Sequence, residues 1–410
     1  MKTIVQKYGG SSLSNFELIK NVANRISEAH DRFGRVVCTV SAMGDSTDEL
    51  LAAAGELSPS PDRRELDVLL STGELRSCAL VAISLNQMGK KAISLSGYQA
   101  GITTTSIHGN ARISDFDSSR INQELSQGNI VVVAGFQGAT EEMDVTTLGR
   151  GASDLTAVVL AAGLGADKCE IYSDVDGIYT ADPRLVPEAI KLDCIGFEEM
   201  LELASYGAKM NPRSIELGMV YDVPILVASS IGNGSGTLID KGENMNSNVG
   251  EIRNRVVGVA TDVDVAKITI HSVIDRPGIA ASIFEPLSKS GISVDVIVQN
   301  ASVSGLTDLT FTVKAGDLTR SIEVVESLAS ELGTSEVDKA EGLAKVSIVG
   351  TGMQDSPGYA AKMFSALSEE NINIDMITTS EIRITCIINE DSIAAAARVL
   401  HRAFDLGNVS

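Results

Sequence analysis

Tryptophan is absent from the 410 residues, and only 4% of them are aromatic. A hydrophobic fraction of 44% must therefore come mostly from Ala, Val, Ile and Leu, a mix that suits parallel sheets flanked by helices. Basic residues are scarce as well: 33 Lys and Arg stand against 54 Asp and Glu, for a net charge of −21. That balance argues against nucleic acid or an anionic membrane as a partner. Histidine occurs four times, and the five cysteines (Cys38, Cys78, Cys169, Cys194, Cys386) stand singly, with no CxxC. Neither a zinc site nor a disulfide framework is expected from such a set. No signal-peptide pattern and no apolar run long enough to span a bilayer is read, so the expectation is a reduced, cytoplasmic protein.

What is present is an alternation. KTIVQK (2–7), RVVCTVSAM (35–43), KAISLSG (91–97), NIVVVAGFQG (129–138), CEIYSDVDG (169–177) and VPILVASS (223–230) read as strands between Ala-rich helices. This predicts a mainly parallel sheet with helices on both faces, which binds ligands beyond the carboxyl ends of its strands. After about residue 240 the texture changes, and the polar stretch 243–255 reads as a linker. Beyond it lies a repeat with a spacing of 80 residues. Pro277-Gly278 returns as Pro357-Gly358, Phe284 as Phe364, Leu287-Ser288 as Leu367-Ser368, and Ile292, Asp295 and Ile297 as Ile372, Asp375 and Ile377. Two small α+β domains, 256–335 and 336–410, are predicted after a first domain over 1–242.

Several loops hold residues suited to chemistry. In TTLGRGASD (146–154) Gly149 and Gly151 permit close backbone approach, and Arg150 offers a permanent fork for a carboxylate or phosphate. Ser153 and Asp154 are N-cap types ahead of an apolar helix, so the stretch is either an anion site or a capped turn. In KYGGSS, Lys7 precedes Gly9 and Gly10, which allows phosphate binding or an ordinary strand-to-helix turn. Ser41 and Thr47 follow a strand and serve either a substrate carboxylate or a helix cap. Glu74, read at a Thr72-Gly73 turn, is either a ligand for an ammonium group or a solvated acid favoured by the helix dipole. SDVDGIYTADPR (173–184) lacks the terminal glutamate of an EF-hand loop. It reads better as a nucleotide-holding loop, with Tyr179 beside an adenine and Asp174 near ribose or phosphate. Lys209, in GAKMNPRS, either reaches a γ-phosphate or is a surface group. No nucleophile elbow, triad or general base is evident. Phosphoryl transfer to an ionised carboxylate needs none.

KYGGSS, SAMGDST, STGE, TTLGRGASD, YSDVDGIYTADPR and the GAK segment occur in the order found in aspartokinases, and the chain resembles the short, monofunctional bacterial members over nearly its whole length. The resemblance implies an amino-acid kinase fold, a mainly parallel sheet sandwiched by helices, followed by two ferredoxin-like ACT domains. It implies ATP-dependent phosphorylation of the β-carboxylate of L-aspartate, with Mg²⁺ accompanying ATP and no dedicated protein metal site. By position, Lys7, Asp154 and Lys209 would be catalytic. Ser41, Thr47, Glu74, Arg150 and Ser153 would hold aspartate, Glu74 at its ammonium and Arg150 at its α-carboxylate. Lys7, Gly9 and Gly10 would contact phosphates, while Ser173, Asp174, Tyr179, Arg184 and Lys209 would surround ATP. In the repeats, Asp275, Gly278, Ile279 and Ala280 would line an effector pocket with Gln299, Asn300, Thr307 and Asp308. Lysine, threonine or both would be the effectors, and at least a homodimer would form through the ACT domains. An internal start at Met245 would yield a separate ACT-only subunit. The chain also departs from the family pattern, at Ala152 in place of a glycine, at Leu155, at Leu75-Arg76, and in a GAKMNPRS segment one residue shorter than usual. A paralogue acting on another amino dicarboxylate, or a weakly active amino-acid-binding regulator, is the alternative reading.

Overall fold

Each Val- and Ile-rich run of the first half of the chain becomes a strand, and the Ala-rich runs between them become helices. In the computed structural model, residues 2–205, 210–232, 234–241, 256–300, 305–328, 336–353 and 357–408 are described. The strands of the first half are β1 (Lys2–Tyr8), β2 (Gly34–Val40), β3 (Ala92–Leu95), β4 (Ile102–Thr104), β5 (Ile113–Phe116) and β6 (Ile130–Ala134). They continue with β7 (Gln137–Ala139), β8 (Val145–Thr147), β9 (Lys168–Ser173), β10 (Cys194–Gly196), β11 (Ile225–Ser229) and β12 (Thr237–Asp240). Eight of them form one sheet in the order β10-β12-β11-β9-β1-β2-β6-β3. Only β11 and β12 pair antiparallel in it, so the expected mainly parallel sheet is present. The other four form a small sheet, β5-β4-β7-β8.

The helices of this half are α1 (Phe16–Phe33), α2 (Ser46–Leu57), α3 (Arg63–Gln87), α4 (Ser119–Ser126), α5 (Ser153–Leu164), α6 (Phe197–Ser205) and α7 (Pro212–Tyr221). Asn15 caps α1 by accepting from Leu18 N, and Gly34 ends the helix at φ +87°. Ile19, Val22 and Ile26 of α1, with Cys78, Val81 and Leu85 of α3, pack on Tyr8, Val36, Cys38 and Val40 of the sheet. The nine residues from Ser153 to Ala161 are all buried, as suits a helix apolar on every side. By length and composition α3 could cross a membrane, contrary to the expectation of no such apolar run. It packs instead in the core, with Asp67 and Glu74 turned inward. All five cysteines are free thiols.

The second half contains β13 (Gly258–Ile274), α8 (Ile279–Lys289), β14 (Val294–Gln299), β15 (Leu306–Val313) and α9 (Leu318–Ser327). The same order follows in β16 (Val337–Val349), α10 (Tyr359–Glu369), β17 (Met376–Thr379), β18 (Arg383–Asn389) and α11 (Ile393–Ala403). The repeat is therefore structural: α8 and α10 have 11 residues each, and Gly278 and Gly358 precede them at φ +92° and +108°. Those angles suit glycine and explain the recurring Pro-Gly pair. The six strands share one antiparallel layer, β14-β15-β13-β16-β18-β17, backed by the four helices.

The long central strands exchange ends between the repeats. The start of β13 (Gly258–Asp262) pairs with the end of β16, and Val259 lies in the second repeat's core with Val346 and Leu400. Val337, at the start of β16, packs on the first repeat's core around Ile268 and Phe311. The chain divides into two compact units, Met1–Ile178 with Lys191–Glu251, and Tyr179–Ile190 with Ile252–Ser410. The excursion 179–190 thus joins the repeats. Ala181 and Val186 are in the second repeat's core, and the Thr180 hydroxyl is 2.9 Å from Nε2 of buried His401.

Candidate active site

The carboxyl ends of β1 and β2 bring the two sequence-predicted loops together. Lys7 sits one residue before the end of β1, and its Nζ lies 2.6 Å from the Asp154 carboxylate in the first turn of α5. Both side chains are about nine-tenths buried, so each is held chiefly by the other. Asp154 and Ser153 do not cap α5, as had been expected: the N-cap residue is Ala152, with no side-chain cap bond. The carboxylate is turned inward to Lys7 instead. Gly135 makes room for this helix start, since a Cβ there would come 2.8 Å from Cβ and Oγ of Ser153.

Beyond Lys7 the chain turns through Gly9 and Gly10. Gly9 N donates to Tyr172 O, and Gly44 N donates to Gly10 O. A Cβ on Gly10 would fall 2.8 Å from the Ala42 carbonyl oxygen, so this loop tolerates no side chain there. Ser41 N donates to Tyr8 O, which fixes the third strand-end loop beside the first.

Glu74 differs from expectation. No turn exists at Thr72-Gly73, because α3 runs unbroken from Arg63 to Gln87. Gly73 is there so that the helix can approach the β2 loop, as its Cβ would meet Ala42 Cβ at 2.9 Å. Glu74 is consequently 3% exposed rather than solvated. Its Oε1 accepts from Ala42 N at 3.2 Å, while Oε2 has no partner. Burial pushes its carboxyl up to about 7, against the pull of backbone N–H groups, chiefly its own and that of Ala42. A buried carboxylate with one oxygen unmatched is a ready receiver for an ammonium group.

Arg150 lies between Gly149 (φ +94°) and Gly151 (φ +77°), the positive angles anticipated from the sequence. Its guanidinium is largely exposed and bonds Asp48 at 2.6 Å, next to Thr47 in the first turn of α2. Such an exposed pair contributes at most about 1 kcal/mol, so an incoming carboxylate can exchange for Asp48. Ala152 is fully buried among Leu70, Phe136, Leu148 and Leu155. Its methyl faces the core, not the loop, and Leu155 fills the same cluster.

Ser173 ends β9 near Gly9, and its Oγ accepts from Val175 N. Asp174 follows it, exposed. Tyr179 and Arg184 belong to the second unit, where Arg184 is clamped on the carboxylate of Asp182. Lys209, Met245 and the linker 243–255 lie outside the described residues. Among the described residues no group of three or more His, Cys, Asp or Glu is placed to hold a metal ion.

In the repeats, Asp275 N bonds Gly305 O, and the Thr307 hydroxyl donates to Asn300 O, which draws the predicted effector segments together. Gln299 is exposed, Ala280 half-buried, and Asp308 accepts from Ser272 N beside the Gly278 helix start. The Ile279 side chain is part of the core, so it cannot face a ligand as expected; only its backbone can.

Sequence reasoning missed the residues that hold these loops from behind. Asp67, buried in α3, accepts from Gly109 N and the Thr147 hydroxyl and meets His108 Nδ1 at 2.9 Å. Arg213 of α7 donates to Leu148 O and Ala111 O at the base of the Arg150 loop. Arg25 bonds Ser230 O and Gly232 O and lies over the Tyr172 ring. A lone acid on the apolar side of α3 was the one visible signal among them.

The family model described as the amino acid kinase family matches residues 2–229, and an ACT domain model matches 268–328 and 346–404. The aspartokinase of Corynebacterium glutamicum is 49% identical over 99% of this chain and 97% of its own length. Aspartokinase 2 of Bacillus subtilis is 44% identical, covering 99% and 98%. Among solved structures, Escherichia coli aspartokinase III in complex with aspartate and ADP superposes with a TM-score of 0.81 at 25% identity, over 98% of this chain and 99% of that one.

Proposed function

This chain belongs to the aspartokinases of the amino acid kinase family, and we propose on that basis that it moves the γ-phosphoryl group of ATP to the β-carboxylate of L-aspartate, giving 4-phospho-L-aspartate. The observation that supports the assignment of roles is the line of contacts at the strand ends. Glu74 holds the Ala42 loop, that loop abuts Gly10, and beside Gly9 stands the Lys7–Asp154 pair.

In this reading the unmatched oxygen of Glu74 receives the aspartate ammonium. Arg150 leaves Asp48 for the α-carboxylate, with Ser41, Thr47 and Ser153 orienting the substrate. One β-carboxylate oxygen then forms a bond to the γ-phosphorus as the bond from that phosphorus to the ADP oxygen breaks, and ADP leaves with the electron pair. The attacking oxygen is already anionic, so no base is required. Lys7, oriented by Asp154, neutralises charge spread over the transferring oxygens, and the Gly9-Gly10 backbone accommodates the phosphates. Lys209 would add a second cation, while Ser173, Asp174, Tyr179 and Arg184 would surround the nucleotide. Mg²⁺ would accompany ATP and, when bound, supply charge neutralisation at the phosphates.

Residues 1–242 are the catalytic part in this reading. The ACT repeats 256–335 and 336–410 bind lysine, threonine or both, through the backbone about Gly278 and Ile279 and the side chains of Gln299, Asn300, Thr307 and Asp308. The enzyme works in the cytoplasm as a homodimer or larger assembly through these repeats, and a product starting at Met245 would supply ACT repeats alone. Because Ala152 is buried in the core, its methyl gives no reason to expect a diacid other than aspartate.

Hydroxylamine traps acyl phosphates, which gives a direct test with ATP, Mg²⁺ and a panel of amino diacids. Hydroxamate from aspartate is expected. Hydroxamate from a different diacid alone, or from none, overturns the assignment. Lys7→Ala should lower turnover by about a thousandfold or more while the protein stays folded; retained turnover would remove Lys7 from the phosphate site.

A further inference from the structure

A cavity of about 500 Å³ opens between β5, α5 and α7, and none of its lining residues is assigned to either substrate. That volume is in the range of small-molecule sites. Its apolar lining includes Leu155 and Val159 of α5, Leu217 and Val220 of α7, and Phe116 of β5. Gly163 helps shape it: a Cβ there would come 2.2 Å from the Phe116 ring, so only glycine lets that ring lie across α5.

Four charged residues also line the cavity, Arg112 and Asp115 from the β5 side and Arg213 and Glu216 from α7. Among the described residues none of the four forms an ion pair. Asp115 accepts only from the next residue's N–H, and Arg213 donates only to two backbone carbonyls. Arg213 has its proton affinity lowered, first by burial and then by the nearby Arg112 guanidinium. In a chain with 21 excess negative charges, the exposed Arg112 and half-buried Arg213 lie near one another with no carboxylate bonded to either, and Glu216 offsets part of that positive charge, a setting that suits an incoming carboxylate. Glu216 lies one helical turn beyond Arg213, on the same side of α7.

We propose that this cavity binds a free zwitterionic amino acid with a bulky apolar side chain. Its carboxylate bonds Arg112 and Arg213, its ammonium meets Glu216 or Asp115, and its side chain lies on Leu155, Val159 and Leu217. The two signs in the lining are balanced, which fits a zwitterion better than a simple anion. Arg213 also holds Leu148 O and Ala111 O, so an occupant bonded to Arg213 bears on the base of the Arg150 loop. The coupling should alter KM for the carboxylate substrate more than kcat.

Calorimetric titration of the full chain with L-phenylalanine and L-leucine tests this without relying on turnover. 3-Phenylpropionate and phenethylamine, each lacking one charge, are the controls. Saturable binding of at least one amino acid is expected, with each control weaker by about tenfold or more. Arg112→Ala should weaken binding by a similar factor, and Ala162→Phe, which fills the cavity, should abolish it; both should keep the parent melting temperature within a few degrees and the parent turnover without added amino acid. The proposal fails if neither amino acid binds at millimolar concentration. It fails equally if 3-phenylpropionate matches phenylalanine, or if binding survives both substitutions, which would place the ligand elsewhere in the chain.

Discussion

Two buried charges, one in each unit, are treated in opposite ways. In the repeat unit, Lys345 is buried at the centre of the shared sheet and is paired with Asp295 of the other repeat, with Asp262 3.8 Å away. Lys267 of the first repeat reaches Asp375 of the second at 3.3 Å, and Asp295 and Asp375 are equivalent positions of the repeat. These reciprocal pairs cross between the repeats and help to fix their register. In the catalytic unit, Glu74 is just as deeply buried, yet one of its oxygens has no partner. The paired Lys345 serves the sheet, whereas the unpaired oxygen of Glu74 is a place kept for a ligand.

The strongest challenge to that contrast is Glu74→Gln. Loss of the receiving charge should raise KM for aspartate by about 30-fold or more, measured by steady-state kinetics. The same change should stabilise the protein above neutral pH. The folded-state pKa of Glu74 is raised from 4.5 to about 7, so the folded protein binds this proton more tightly than the unfolded chain. The stabilising contribution is complete below 4.5 and is lost as pH rises to about 7. With glutamine in place, about 2–3 kcal/mol of that loss should be avoided, a gain of several degrees in melting temperature at pH 8 and little at pH 4. Equal melting curves at both pH values would mean that Glu74 is already matched.

Lys345→Met should act in the other direction. Two carboxylates lose their shared cation, so stability should fall by about 1–3 kcal/mol, read by thermal denaturation. Turnover of the folded fraction at saturating substrate should be unchanged. A drop in kcat with no change in melting would reverse the division drawn between the units.

The smallest effect is expected at His271, which bridges Asp338 and Asp308 on the repeat sheet at 3.0 and 3.2 Å. Hydrogen bonds from its ring N–H groups to these carboxylates raise its pKa above 6.5. Its contribution is therefore present below 6.5 and lost as pH rises through the raised value. Because both carboxylates are open to water and His271 is partly so, His271→Ala should lower the melting temperature by about a degree or less at pH 6, and by less still at pH 9.

Local pattern made most of the fold legible. Alternating Val- and Ile-rich runs gave the parallel sheet, and the 80-residue spacing gave the duplicated unit with matching Pro-Gly turns. Three features depended on packing that no local pattern encodes. The Thr72-Gly73 pair looked like a turn because glycine is a poor helix former, but close approach of α3 to Ala42 outweighs that preference. Ser153-Asp154 looked like a cap because these residue types favour caps, whereas Lys7 claims the carboxylate from a strand 147 positions away. The exchange of strand ends between the repeats is invisible to a linear reading, since each half of β13 faces a different core. At the site, residues carried by glycine loops were found readily. Those acting from behind, Asp67, Arg213 and Arg25, sit in ordinary helices, and only Asp67, an acid on an apolar helix side, leaves a trace in the sequence.

The excursion 179–190 has a consequence for how this protein is made. Ala181 and Val186 emerge from the ribosome early, but their packing partners include Leu400 and Leu406, more than 200 positions later. Until the last helix of the chain is synthesised, Val259 N and the Thr180 carbonyl oxygen can bond, but the Thr180 hydroxyl has no His401 to meet. The final core of the molecule therefore closes last, around a plug made near the midpoint of translation. A chain begun after residue 190, the ACT-only product from Met245 included, would have to close the second repeat's core without Ala181 and Val186.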